Sequence, residues 1–270
     1  MLSNKTAIIT GAAGLLGYEH AIALADAGYN IVILDINLKI LKQKAKLLDS
    51  NKKKSVKILF YKCDITSEKQ VRSINKKITN KKLKIEVLVN NADKNPKMKK
   101  YKNSFTGRVE DYSISKLKNE LNVGLIGTFI CCKIFGNQMK KNKKGSIINI
   151  ASDLGIKGPD QRVYDKKMNF FNVKNFKPIG YSISKHGIIG ITRYLATYWA
   201  RHGIRSNNLI PGGVFNNQPK FLVKNYKFTV PMNRWAKKSE YRSAIKFLAT
   251  DDSAYMTGQS LIIDGGRTVW

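Results

Sequence analysis

A short apolar, β-branched run at residues 6–10 (Thr-Ala-Ile-Ile-Thr) leads directly into Gly11-Ala-Ala-Gly-Leu-Leu-Gly17, and then into a helical pattern that ends near Gly28. A continuous apolar run bounded by turn residues reads as a strand buried on both faces. Strand, small-residue turn and helix in that order make the first half of a βαβ unit. Glycines in such a turn let backbone N–H groups approach a pyrophosphate at the positive end of the helix. The plainer alternative is a tight turn packed by small residues. A second buried strand, residues 31–34, ends in Asp35. A parallel crossover brings Asp35 beside the first turn, where a carboxylate accepts both hydroxyls of an adenosine ribose and repels a 2′-phosphate. Asp35 lies 24 residues past Gly11, close to the roughly 20 expected of such an acid. This pattern predicts NAD rather than NADP, with Lys39 as the one neighbour that would blur the preference.

The same alternation continues along the chain. Strand-like runs fall at residues 56–61, 85–89, 146–151, 204–210 and 260–263, and helical patterns at 38–48, 67–78, 114–139, 180–202 and 239–249. Ser67 is placed to cap the second of these helices. Residues 114–139 read as one long helix with Leu121, Leu125, Phe129 and Cys132 facing inward. Strands and helices in strict alternation predict an α/β fold. We expect one doubly wound domain over residues 1–270, with a seven-stranded parallel sheet and helices on both faces. Ligands of such sheets bind outside the C-terminal strand ends, where residues 11–17, Asp35, Asp64 and Asn90 would gather. Residues 95–109 read as a loop. Residues 156–179 form a long non-periodic insertion, and 214–237 a loop rich in aromatics (Phe215, Phe221, Tyr226, Phe228, Trp235). Both are expected near the substrate, the second as a lid.

Tyr181-Ser-Ile-Ser-Lys185 opens the helix after that insertion. Residues four apart share a helix face. A phenol ionises near ~10, and a neighbouring ammonium favours the phenolate. A Tyr tuned in this way can take a proton from an alcohol or give one to a carbonyl. Taken alone, the pentapeptide is equally at home on an exposed amphipathic helix.

Composition narrows the function classes. The net charge of +31 rests on 49 Lys and Arg against 18 Asp and Glu. The basic residues are mostly Lys, scattered over the chain, and no nucleic-acid-binding motif interleaves them with aromatics. We read a solvated surface with no specific nucleic-acid partner; attraction of anionic substrates is the secondary reading. No run reaches the ~18 apolar residues of a membrane span, and the N-terminus does not resemble a signal peptide. Cys63, Cys131 and Cys132 show no metal or redox spacing and read as reduced core residues, so a cytoplasmic location is expected. His20, His186 and His202 fit helix faces, and no metal site is expected.

Together, Thr10-Gly-Ala-Ala-Gly-Leu-Leu-Gly17, Asp64-Ile65, Asn90-Asn91-Ala92, Ser152, Tyr181-Ser-Ile-Ser-Lys185, Pro211-Gly212, Thr257-Gly258 and Asp264-Gly265-Gly266 resemble the signature set of the short-chain dehydrogenase/reductase family from end to end. The resemblance implies a Rossmann-type domain and hydride transfer between a nicotinamide and a secondary alcohol carbon. It implies Tyr181 as general acid/base, Lys185 as the residue that tunes it and holds the nicotinamide ribose, and Ser152 as the ligand of the substrate oxygen. Gly11, Ala13, Gly14, Leu16 and Gly17 would form the pyrophosphate turn. Asp35 would hold the adenosine ribose, Asp64 and Ile65 the adenine, Asn90 and Ala92 the length of the cofactor, and Pro211, Gly212 and Val214 the nicotinamide. Homodimers or homotetramers through the helices at 114–139 and 180–202 are implied as well.

Four departures stand out. Leu15 replaces the family's middle turn glycine, with Gly14 as the candidate substitute. Asp93 replaces the glycine after Asn-Asn-Ala. Gly124 stands where an Asn supports the active-site Lys, leaving Asn122 as the candidate support. Ser152 and Tyr181 are 29 residues apart, about twice the usual interval, because of the insertion. The insertion and Asp264-Gly-Gly-Arg-Thr-Val-Trp270 are similar to oxidoreductases of bacterial surface-glycan and flagellin-modification clusters. In that setting Gln161 and Arg162 would touch sugar hydroxyls or a phosphate, unless Arg162 pairs with Asp160 or Asp165. The reading is therefore an NAD-dependent oxidoreductase acting on a sugar, sugar phosphate or nucleotide sugar. Its rivals are a 3-oxoacyl carrier-protein reductase and a non-catalytic nucleotide-binding protein of the same fold.

Overall fold

The computed structural model describes residues 4–52, 55–94, 107–166, 168 and 175–270. The expected loop at 95–109 therefore lies mostly outside the described residues, as do position 167 and residues 169–174 of the insertion. Seven parallel strands form one sheet: β1 (Lys5–Thr10), β2 (Asn30–Asp35), β3 (Ile58–Lys62), β4 (Lys84–Asn90), β5 (Gly145–Ile150), β6 (Ile204–Pro211) and β7 (Ser260–Ile263). Their order across the sheet is β3-β2-β1-β4-β5-β6-β7. The order reverses between β1 and β4, which opens a crevice at their C-terminal ends.

Eight helices flank the sheet among the described residues: α1 (Leu15–Asp26), α2 (Leu38–Asn51), α3 (Glu68–Asn80), α4 (Ile114–Leu121), α5 (Thr128–Asn142), α6 (Ile179–Trp199), α7 (Lys220–Lys227) and α8 (Arg242–Ala249). Successive strand residues point to opposite faces. Ala7 and Ile9 of β1 with Ile31 and Ile33 of β2 pack under α1, α2 and α8. Ile8, Val32 and Leu34 pack under α3, α5 and α6. Both faces are covered, so the strands read as unbroken apolar runs rather than alternating ones. Each such fully buried Ile or Leu is worth about 1.5–3 kcal/mol.

A buried polar chain ties the second half of the sheet together. Asn90 Nδ2 donates to Asn149 Oδ1 at 2.8 Å, Asn149 Nδ2 to Thr192 Oγ1 at 2.8 Å, Thr192 Oγ1 to Asn208 Oδ1 at 2.6 Å, and Asn208 Nδ2 to Ser260 Oγ at 3.1 Å. Each of the three amide nitrogens donates to the next member, so the chain fixes β4, β5, β6 and β7 against α6.

The expected long helix at 114–139 is not one regular helix. A π-helical segment, Asn122–Gly127, separates α4 from α5. Its wider turn rotates α5 relative to α4, so Phe129 points outward and is 47% exposed, while Cys132 is buried. The expected loop at 214–237 contains α7, whose Leu222 and Tyr226 pack with Val163 and Val230. Ser67 caps α3 as expected, accepting from Gln70 N at 3.4 Å. No helix among the described residues is long and apolar enough to cross a membrane.

Candidate active site

A cavity of about 810 Å³ opens at the C-terminal strand ends and runs from the β1 turn to the loops after β5 and β6. At one end, Gly11 has φ +63°, a left-handed conformation that glycine adopts without penalty. A Cβ there would come within 2.7 Å of Ala92 Cα. Asn91 locks this junction: its Nδ2 donates to Thr10 O at 3.0 Å and to Gly11 O at 3.1 Å. Thr10 Oγ1 accepts from the N–H groups of Asn91 and Ala92 at 3.0 and 3.1 Å. The turn is thus pinned to the end of β4, with Gly14 as N-cap of α1. Gly11, Gly14, Leu15 and Leu16 line the cavity, so a side chain at position 15 is accommodated. This cradle fits a pyrophosphate.

Asp35 closes β2 at the cavity wall, where Oδ2 accepts from Ala13 N at 3.0 Å and Oδ1 from Asn37 N at 2.9 Å. The first bond ties the carboxylate to the turn, and the second ties it to the start of the segment leading into α2. Asp64, Ile65 and Ala92 also line the cavity, as do Pro211, Gly212 and Val214 at the far side. Ala13 and Gly17 stand behind the lining; a Cβ on Gly17 would lie 2.5 Å from Gly11 O. The Asn90 side chain belongs to the buried chain through the sheet and also donates to Cys132 Sγ at 3.1 Å. The lining is supplied instead by its neighbour, Asn91.

Ser152, Tyr181 and Lys185 converge on the other end. Lys185 Nζ lies 5.5 Å from the Tyr181 ring centroid, while Lys177 Nζ sits closer, 4.0 Å over the same ring. Loss of solvation pushes the Tyr181 hydroxyl up from its ordinary range, the Asp93 and Asp153 charges push the same way, and a hydrogen bond with Ser152 opposes them. Lys177 is brought down to about 8, chiefly by burial. Ser152 Oγ donates to Asp153 Oδ1 at 2.8 Å, and Asp153 Oδ2 pairs with Arg267 Nη1, both side chains being buried. Arg267 Nε also donates to Thr229 Oγ1 at 3.1 Å. Val163, Tyr164, Leu222, Tyr226 and Trp235 complete this end.

Lys185 Nζ is held by Ile150 O at 2.7 Å and by the Asp93 carboxylate at 2.9 Å. Asn122 lines the cavity, and Asp93 forms an ion pair with Lys185. Gln161 and Arg162 are absent from the cavity lining. Arg162 is bound by Asp160, Nε to Oδ1 at 2.9 Å and Nη2 to Oδ2 at 2.8 Å, and Gln161 Oε1 accepts from Lys177 N at 2.8 Å. Sequence reasoning missed Asp153, Lys177 and Arg267 as parts of the site. Only Arg267, in the unusual ending Asp264-Gly-Gly-Arg, gave a signal. Among the described residues no cluster could hold a metal ion.

A glycine cradle and an acid at the switch point, facing a Ser, Tyr and Lys across one cavity, define a dinucleotide-dependent oxidoreductase of the doubly wound class. The family model described as short chain dehydrogenase matches residues 5–165, and one described as Enoyl-(Acyl carrier protein) reductase matches residues 170–268. The chain belongs to the short-chain dehydrogenase family and is an oxidoreductase acting on CH–OH groups. A 3-oxoacyl-[acyl-carrier-protein] reductase of Thermotoga maritima is 30% identical, covering 99% of each chain. A D-threitol dehydrogenase of Mycolicibacterium smegmatis is 27% identical, over 99% of this chain and 94% of that one. A short chain dehydrogenase of Leptospira borgpetersenii, solved with bound NAD+, is 28% identical with a TM-score of 0.79, over 98% and 92% of the two chains.

Proposed function

We propose that this chain is an NAD-dependent oxidoreductase that interconverts a secondary alcohol and a ketone on a sugar-derived or polyol substrate, as in surface-glycan synthesis. The observation that carries the cofactor choice is the Asp35 carboxylate, fixed by two backbone N–H groups at the mouth of the glycine turn. A 2′-phosphate there would meet a negative charge. The bound nicotinamide supplies or accepts the hydride. Tyr181 exchanges the proton with the substrate oxygen, Ser152 binds that oxygen, and Lys185 binds the ribose beside Tyr181. Tyr164, Lys177, Asp153 and Arg267 offer polar groups to a substrate with several hydroxyls or a negative charge, beside the apolar Val163, Leu222 and Trp235. The relative acting on D-threitol agrees with this reading.

A second reading, reduction of a carrier-bound 3-oxoacyl group, is favoured by the 30% identical reductase and by the +31 charge, which would attract an acidic carrier protein. Titration with NADH and NADPH, followed by energy transfer from Trp, tests the cofactor on wild type and Asp35→Ala. NADH should bind tighter, and NADPH should gain in the variant; NADPH binding tighter to wild type would overturn the assignment. A screen at 340 nm of polyols, sugar phosphates and nucleotide sugars against acetoacetyl carrier protein, with Tyr181→Phe as the inactive control, then separates the two substrates.

A further inference from the structure

We infer that Asp93 is the positioning residue of Lys185, and that by cancelling the Lys185 charge it keeps Tyr181 protonated through neutral pH, so that proton donation to a carbonyl is the ready state of the site. The inference rests on the proposed roles of Tyr181 and Lys185.

The geometry ties two departures into one. Asp93 Oδ2 lies 2.9 Å from Lys185 Nζ, and the side chains are 9% and 5% exposed. The second Asp93 oxygen accepts from Lys94 N at 2.7 Å, which orients the carboxylate. Gly124, on the π-helical segment, makes room for it. A Cβ at position 124 would overlap Ser184 Oγ and approach Asp93 Oδ1 to 2.9 Å. A larger residue on that segment and an acid at position 93 would compete for the same space. The support of Lys185 therefore comes from the end of β4, and it is a carboxylate.

The charges around the phenol follow from this. The loop after β5 contributes Asp153, neutralised by Arg267 from the segment after β7. The residues leading into α6 contribute Lys177, 4.0 Å over the ring. The turn at Gln161–Tyr164 contributes Tyr164, and α4 contributes Glu120, whose charge reaches Lys177. Lys185 and Asp93 complete the set as a neutral pair. An amide supporting Lys185 would leave a full positive charge beside the phenol. The carboxylate offsets that charge and leaves Lys177 as the cation over the ring. In reduction, a bound nicotinamide would supply the hydride to the carbonyl carbon and be left oxidised, and Tyr181 would give its proton to the carbonyl oxygen. That step needs the phenol form, whereas alcohol oxidation needs the phenolate. Reduction should thus hold its rate through neutral pH, while oxidation rises steadily into the alkaline range.

The test is a charge cycle read on the phenol itself. Tyrosinate absorbance near 295 nm is titrated for wild type, Asp93→Asn, Lys185→Met and the double variant, each minus its Tyr181→Phe counterpart. Asp93→Asn should lower the Tyr181 transition by about one pH unit or more, the size of a nearby charge effect. Lys185→Met should raise it, and the double variant should return it close to wild type. Lys177 is present throughout and cancels in the cycle. The double variant buries no lone charge, so it reports even where Asp93→Asn folds poorly. A Tyr181 transition that does not move in Asp93→Asn, or a double variant far from wild type, overturns the inference. NADH binding by the same samples separates this from failure of the proposed function: bound NADH with an unmoved phenol sinks only the role of Asp93, whereas absent binding to wild type sinks the functional reading.

Discussion

The Asp153–Arg267 pair should hold the substrate end of the site together, and its removal has a calculable cost. Both side chains are nearly excluded from solvent, at 7% and 5% exposure. Asp153 Oδ1 accepts from Leu154 N at 2.9 Å and from Ser152 Oγ at 2.8 Å, so Arg267 supplies the only positive charge bonded to the carboxylate among the described residues. Arg267→Met leaves a buried carboxylate with two neutral donors, and Asp153→Asn leaves a buried guanidinium with Thr229. Breaking a buried pair from one side costs about 3–5 kcal/mol, whereas removing both charges is close to neutral. For a chain of this size each kcal/mol moves Tm by roughly 2 °C, so each single variant should melt about 6–10 °C lower. The double variant should recover most of that loss. Thermal melts by circular dichroism and urea unfolding of the four proteins close the cycle. Single variants within about 1 kcal/mol of wild type, or a double variant equal to the sum of the singles, would show that the pair is solvated in practice and refute the reasoning.

Three further outcomes rest on the packing. Gly17→Ala places a Cβ 2.5 Å from Gly11 O and 2.9 Å from Ala12 Cα; because backbone must yield, it should cost about 1–3 kcal/mol and weaken NADH at least tenfold by titration, and unchanged affinity would show that the turn is not the pyrophosphate cradle. His20 is fully buried, with both ring nitrogens unpartnered among the described residues, and burial holds it down at about 3. The unfolded chain takes up a proton near 6.5 that the folded chain refuses, so stability is full above that pH and falls toward pH 3 by as much as about 1.4 kcal/mol per unit; His20→Leu should flatten that slope in urea titrations at pH 7, 5.5 and 4.5. Tyr194 and Tyr198 stack with ring centroids 5.8 Å apart on an exposed face shared with Phe129, which we propose as a contact between copies of this chain. Light scattering should give a multiple of 30.5 kDa that Tyr194→Glu reduces, and a single-chain mass for wild type would end the proposal.

Several parts of the site could be read along the chain because they depend on local chemistry. The β1 run, its glycine turn and Asp35 each announce themselves through residue type and spacing. Tyr181 and Lys185 are adjacent on a helix by period alone. Other parts needed distant segments to meet. Asn90 and Asn91 are identical in type and adjacent. Strand alternation sends one into the sheet's polar chain and the other to the turn, and the sequence carries no phase to choose between them. Phe129 fits an inward stripe if α4 and α5 are continuous, and the π-helical segment undoes that phase. Arg162 could be read as a substrate contact or as a partner of Asp160 or Asp165, and the fold pairs it with Asp160, two residues away.

The sequence by itself determined the alternating strands and helices, the glycine turn and the placing of Tyr181 and Lys185 on one helix face, because these follow from periodicity and from residues close in the chain. Tertiary structure alone decided which charges surround the pair. Asp93 comes from the end of β4, Lys177 from the approach to α6, Asp153 from the loop after β5 and Arg267 from beyond β7. Their meeting is set by sheet order and by the space that Gly124 leaves. The acidity of Tyr181 is a sum over those neighbours and over its lost solvation, and no stretch of sequence contains that sum.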